Sequence, residues 1–211
     1  MRGRQWAIAA VALLVIWMLM PSRSRSVVST APGLAGTFSP LGGDQAAAAL
    51  EAPQAGLAVQ GPPTISVPQI ERVLAEYNSP AQGHGQEIFD LGLKYGINPA
   101  ISLAFFIHES GAGSNPRWAG WKPDGTTTNN IGNIICTPGY RCHGRFRDYN
   151  SWAEGIEDWY KLIDDLYVRE WGRRTVDDII PKYAPASDNN DEGAYINSVK
   201  QLVDTWQRTE Q

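Results

Sequence analysis

The chain has few of the side chains that build metal centres. Its 211 residues include two cysteines and three histidines. Cys136 and Cys142 flank the turn sequence Thr-Pro-Gly-Tyr-Arg, and His143 follows. Neither of the other two histidines stands at finger-type spacing from this pair, so no metal site is expected. Basic charge is also short. Of the 18 Lys and Arg only four precede residue 67, and of the 22 Asp and Glu only two do. The remainder holds 14 against 20, a net charge of −6, which argues against a nucleic-acid partner held by counterion release. Residues 26–66 carry only Asp44 and Glu51 as charges and are rich in Ala, Gly, Pro and Ser. Such a stretch cannot bury enough apolar surface to offset its ordering entropy, so a flexible tether is expected. No internal repeat is visible, and nothing implies a cofactor.

The N-terminus is different. Arg2 and Arg4 precede a wholly apolar run over residues 6–20, which Pro21 ends before Arg23 and Arg25. Residues 1–25 thus have the form of a secretory signal or a signal anchor. The run is shorter than the roughly 20 residues of a typical spanning helix. No clean Ala-x-Ala cleavage site follows it directly. Cleaved signal and retained anchor both stand as readings, and either places the rest outside the cytoplasm. In an exported chain a disulfide between Cys136 and Cys142 is the default. Residues 67–211 are then one domain, an ordinary size for a single core.

Within that domain, Pro99-Ala-Ile-Ser-Leu-Ala-Phe-Phe-Ile-His108 is apolar nearly all round. This reads as a helix buried in the core, capped by Asn98 with Pro99 at its first position and stopped by Gly111. Glu109 sits at its end. Burial and the negative end of the helix dipole both favour the protonated carboxyl there. An acid protonated near neutral pH is what a glycosidic oxygen needs as a proton donor.

Other helices are expected from Ser66, with Gln69 placed for a capping box, over Gln86–Tyr95, from Ser151 through Tyr167 with Ser151 and Glu154 as a capping box, from Thr175 with Asp178, and over Asp191–Trp206. The last has Tyr195, Val199, Leu202 and Trp206 on one face. Pro181 should limit the helix that Thr175 begins. Ile131–Cys136 and Arg145–Tyr149 are expected to pair as a hairpin around the cysteine turn. The fold class expected is mainly α with a small β appendage. Trp152, Trp159 and Trp206 read as core. Trp118 and Trp121 lie in a Gly- and Pro-containing loop, where they are candidates for a wall on which sugar rings stack. Asp188-Asn-Asn-Asp191 offers oxygen ligands without the full spaced set of a calcium loop, so a helix-capping turn is preferred.

Four motifs in order resemble the glucosaminidase family of bacterial cell-wall hydrolases. They are Ala104-Phe-Phe-Ile-His-Glu-Ser110, Asn129-Asn-Ile-Gly-Asn-Ile134, Phe146-Arg-Asp-Tyr-Asn-Ser151 and Lys182-Tyr-Ala184. The resemblance implies a lysozyme-like helical domain with a small β-hairpin lobe at residues 129–149. It implies Glu109 as the catalytic acid and Tyr183 as an aromatic lining the cleft. The family's usual Asn-Asn-Leu-Phe-Gly lacks its aromatic here, because Gly132 follows Ile131 directly. Glycoside hydrolysis usually needs a second group. Asp148 on the hairpin is preferred over Asp124, which precedes Gly125 and reads as a turn residue. The substrate's own N-acetyl group is the alternative. Ser110, Asn129 and Asn130 either bind sugar amides or hold the loop, and His108 reads as a core histidine. The expected activity is an endo-β-N-acetylglucosaminidase cutting peptidoglycan or a related N-acetylglucosamine-containing glycan as a monomer, touching the membrane only through residues 1–25. A lytic transglycosylase and a non-catalytic glycan-binding module are the rivals.

Overall fold

The computed structural model describes residues 56–209. The signal or anchor segment and most of the expected tether lie outside the described residues. Among the described residues no helix is long and apolar enough to cross a membrane.

Helix α1 (Val67–Glu76) packs on α2 (Gly85–Tyr95), and α2 on α3 (Pro99–Ser110). The capping box expected at α1 does not form. The Gln69 side chain instead donates to the Trp206 carbonyl at 3.1 Å and to Thr209 Oγ1 at 2.8 Å. Gly96 closes α2 at φ +66°, a left-handed conformation that glycine adopts without steric cost. Asn98 Oδ1 then accepts the Ala100 amide at 3.0 Å, and Pro99 starts α3. Every residue of α3 from Pro99 to Ile107 is buried, as its all-round apolar sequence requires.

The next helix, α4 (Trp152–Lys161), supplies one wall around α3, with Trp159 against Phe105 and Phe106 at ring separations of 5.2 Å each. It runs on as a π-helical segment, Leu162–Glu170. At the start of α4 Ser151 Oγ accepts the Glu154 amide at 3.2 Å, but the Glu154 carboxylate takes the Asn150 amide, so the capping box expected there is half made. The expected helix from Thr175, α5 (Val176–Tyr183), opens with a full reciprocal capping box between Thr175 and Asp178. Pro181 lies inside α5, which ends two residues later, as expected of a proline near a helix end. A short 3-10 turn over Ala186–Asp188 leads to α6 (Glu192–Thr209), the main partner of α3. Asp191 Oδ1 accepts the Ala194 amide at 2.9 Å, so this end of the acidic segment caps a helix.

The β-lobe contains the expected pairing, through the Ile135↔Phe146 bridge, and adds a tighter hairpin to it. The hairpin is β1 (Cys142–His143) against β2 (Phe146–Arg147), turned at Gly144 with φ +57°. The expected partner segment joins β2 on its other side, through Cys136 N–H to the Arg145 carbonyl at 2.8 Å and Arg147 N–H to the Ile134 carbonyl at 3.0 Å. The positive-φ glycine makes the tighter turn, while the cysteine turn is closed by the Cys136–Cys142 disulfide, Cα to Cα 5.8 Å. The lobe is fastened to α4 by Asp158, which accepts from both Arg147 and Tyr149. It is also held by close approach, because a Cβ added at Gly155 would overlap the Asn129 carbonyl. Gly155→Ala should therefore cost about 1–3 kcal/mol of stability, the scale of overpacking a filled site, measurable by denaturant unfolding.

The folded body starts before residue 67, so its boundary lies earlier than expected. Val59 is fully buried and Ile65 nearly so. Val59 N–H donates to the Arg174 carbonyl at 2.9 Å, and its own carbonyl accepts the Asn98 amide at 3.0 Å. Isolated β-bridges Ala58↔Thr175 and Gln60↔Ile97 tie this strand to the starts of α5 and α3. Two apolar residues and backbone pairing suffice to order a segment whose composition reads as a linker.

Candidate active site

Glu109 occupies the last turn of α3, where the helix leaves the core. Its neighbours Ile107 and Ser110 are buried, while Glu109 itself is half-buried and faces a cleft. Two donors hold its carboxyl. The Tyr195 hydroxyl from α6 donates to Oε1 at 2.6 Å, and Asn133 Nδ2 donates to Oε2 at 3.0 Å. Asn133 Nδ2 also reaches the Glu109 carbonyl at 2.7 Å. Among the described residues no cationic side chain forms an ion pair with Glu109. Burial raises its pKa above the ordinary carboxylate value, and the two hydrogen bonds oppose that without reversing it.

The cleft has a volume of about 320 Å³. Its floor is the end of α3 with Glu109 and His108. One wall is the β-lobe, through Asn133, Ile135, Arg145 and Phe146. The other wall is Tyr183 and Asp188 with Tyr195. The α3 core sets the tyrosines, since Phe105 packs on Tyr183 at 5.5 Å and on Tyr195 at 5.4 Å. Burial keeps both phenols un-ionised, far above their ordinary pKa. The Tyr183 hydroxyl donates to the Gly132 carbonyl and so ties α5 to the β-lobe. Arg145 meets Asp188 at 3.3 Å across the two walls. Both ends are exposed, so this bridge contributes at most about 1 kcal/mol.

His108 is not a core residue. It is exposed in the cleft and stacks on Tyr195 at 3.6 Å with an interplanar angle of 15°. Partial burial lowers its pKa.

The expected site residues divide into two groups. Glu109 and Tyr183 are brought together in the cleft. Ser110, Asn129, Asn130 and Trp118 have partners that hold the loop and lobe. Ser110 is fully buried, donates to the Ile131 carbonyl at 2.8 Å and accepts the Gly113 amide at 2.8 Å. Asn130 clasps the lobe through the Ile134 and Arg147 carbonyls at 2.9 and 3.0 Å. Asn129, at φ +53°, donates to the Tyr149 carbonyl at 3.0 Å. Trp118 is buried rather than displayed, stacked on Trp152 at 6.0 Å. Trp121 is 36% exposed and keeps a ring surface in solvent. Asp148 does not line the cleft. Its carboxylate is flanked by Lys122 at 2.8 Å and Arg141 at 2.9 Å. Burial acts to raise its pKa, and these two cations overcome that and hold it below the ordinary value. Asp124 forms an exposed turn, accepting the Thr126 amide at 3.0 Å.

Tyr195 and Asn133 were not singled out from sequence. Tyr195 stood among the apolar positions of the last helix, and only the packing of α6 on α3 turns its hydroxyl to Glu109. Asn133 lay within a recognised motif without a role.

The described residues thus form a mainly α domain with a small β-hairpin lobe, and a carboxyl without a cationic partner stands in the cleft at the end of its buried helix. The family model Glucosaminidase, described as mannosyl-glycoprotein endo-beta-N-acetylglucosaminidase, matches residues 85–208, more than half of the chain. The chain belongs to the glucosaminidase family. Among solved structures it is similar to a C-terminally truncated glycoside hydrolase domain from Salmonella typhimurium FlgJ, at 15% identity and a TM-score of 0.45. That similarity covers 66% of this chain and 98% of the FlgJ domain. Comparison with curated proteins finds no match.

Proposed function

We propose that the protein is an endo-β-N-acetylglucosaminidase acting on the glycan strand of peptidoglycan, with Glu109 as its general acid. The observation that carries this reading is the environment of Glu109, where burial raises the pKa and two neutral donors take the place of a cation. In this role the protonated carboxyl gives its proton to the glycosidic oxygen beside N-acetylglucosamine as the bond to C1 breaks. The resulting carboxylate then takes a proton from the attacking water.

Asp188 is the other carboxylate lining the cleft, and it faces Arg145. We favour attack by the substrate's own N-acetyl oxygen on C1, with Tyr183 orienting the acetamido group. Asp148 then serves the lobe electrostatically. Trp121 offers a stacking face beyond the cleft. Residues 1–25 would export the chain or anchor it outside the cytoplasm, where its substrate lies, and the domain would act as a monomer.

Product analysis tests the reading. Peptidoglycan and a mannosylated glycoprotein are each incubated with the full chain, and new ends are reduced with borohydride and identified by mass spectrometry. Reduced glucosamine ends from peptidoglycan support the proposal. Reduced muramic ends would make the enzyme a muramidase, and anhydro ends a transglycosylase. Cleavage of the glycoprotein alone would move the substrate to N-linked glycans. Binding without cleavage would favour a glycan-binding module.

A further inference from the structure

Asn133 contacts Glu109 through an amide whose two ends differ chemically. An asparagine offers a carbonyl acceptor at one end and two donors at the other, so its orientation decides whether it supports or opposes a neighbouring carboxylate. Here that orientation has one solution. The Trp118 indole N–H lies 2.6 Å from Asn133 Oδ1, and an indole nitrogen can only donate. Oδ1 must therefore face Trp118, which leaves Nδ2 for Glu109, 3.0 Å from Oε2 and 2.7 Å from the main-chain carbonyl. Trp118 is itself immobilised. It is 5% exposed and sandwiched with Trp152, and a Cβ at Gly120 would overlap its ring.

The backbone at Asn133 is equally specific. Its φ is +52°, a left-handed conformation that asparagine tolerates better than most side chains. At the preceding Gly132 a Cβ would overlap Trp159 and lie 3.2 Å from the Tyr183 hydroxyl.

We propose that Asn133, locked by Trp118, is a positioning residue that keeps Glu109 Oε2 as an acceptor and confines the transferable proton to Oε1, beside the Tyr195 hydroxyl. Asn133 cannot accept from Oε2 in the locked orientation. Tyr195 can both donate and accept, so only Oε1 has a neighbour compatible with a carboxyl proton. Trp118 does not line the cleft and acts only through Asn133. The proposal rests on Glu109 being the acid, but its test does not require a substrate.

The test uses the full chain labelled with 13C at glutamate side-chain carboxyls, with the Glu109 resonance identified by its loss in Glu109→Gln. Trp118→Phe removes the indole N–H while keeping a ring against Trp152, and Asn133→Ala removes the amide. In Asn133→Ala Glu109 loses that donor, and in Trp118→Phe the amide loses one of the two contacts that fix its orientation, so in both the titration midpoint moves up in pH, by less in Trp118→Phe. The double variant moves it no further than Asn133→Ala alone, since Trp118 has no other route to the carboxyl. In activity assays Trp118→Phe lowers kcat by about tenfold, the value of one hydrogen bond, with KM unchanged. A merely structural tryptophan would change stability and leave the midpoint in place. An unchanged Glu109 midpoint in folded Trp118→Phe, or in folded Asn133→Ala, overturns the proposal. Absence of cleavage by wild type, with the midpoints shifted as stated, would sink the enzymatic reading and leave the amide lock intact.

Discussion

Glu109→Gln is expected to lower cleavage by roughly 10²- to 10⁴-fold, the scale of general acid catalysis, while making the folded protein more stable at neutral pH. The two effects have one cause. The carboxyl is buried enough that its folded pKa lies above the ordinary value. At pH below the unfolded pKa both states hold the proton and Glu109 imposes no cost. As pH rises from the unfolded towards the folded pKa, the unfolded chain releases the proton first, and folding stability falls. Above the folded pKa the penalty is constant. Glutamine carries no such penalty. Its oxygen can accept from Asn133 Nδ2 while its amide donates to the Tyr195 hydroxyl, so the present contacts survive. The melting temperatures of variant and wild type should therefore converge in acid and separate towards neutral pH, with the variant higher. A variant that melts lower than wild type at neutral pH would show Glu109 to be a structural carboxylate.

Tyr195→Phe carries the second large effect. The ring stays packed on Phe105 and His108, so the fold should hold. The loss is the donor 2.6 Å from Oε1. That hydrogen bond lowers the Glu109 pKa, and without it the pKa rises further. The pH above which activity declines should move upward, and kcat at the plateau should fall by about tenfold or more. The pH profile of kcat checks both. A limb that moves down in pH would mean that Tyr195 supports the protonated form instead.

What could be read from the residues alone was local and periodic. The apolar run from Pro99, its Asn98 cap and its Gly111 stop defined α3 and put a carboxyl at its end. Thr175 with Asp178 predicted a helix start that is present, and the cysteine turn predicted a disulfide that is present. The surroundings of Glu109 were not legible in the same way. Tyr195 repeats at helical spacing with Val199, Leu202 and Trp206, and nothing in that pattern separates a packing ring from a working hydroxyl. Trp118 sits in a loop rich in turn residues, yet it is buried, because Trp152 from α4 and Gly120 close around it. Asp148 looked available on a hairpin until Lys122 from another loop reached it. Residues 57–65 had linker composition but belong to the folded body through backbone hydrogen bonds that no side-chain pattern announces. In each case the missing information was tertiary.

The most direct test of the central claim sets two titrations side by side on the full chain. One is the pH at which the 13C-labelled Glu109 carboxyl ionises. The other is the pH at which cleavage of peptidoglycan declines on the alkaline side. The account predicts that the two coincide above the ordinary carboxylate range and move together in Tyr195→Phe. Full activity at a pH where Glu109 is already ionised would contradict it.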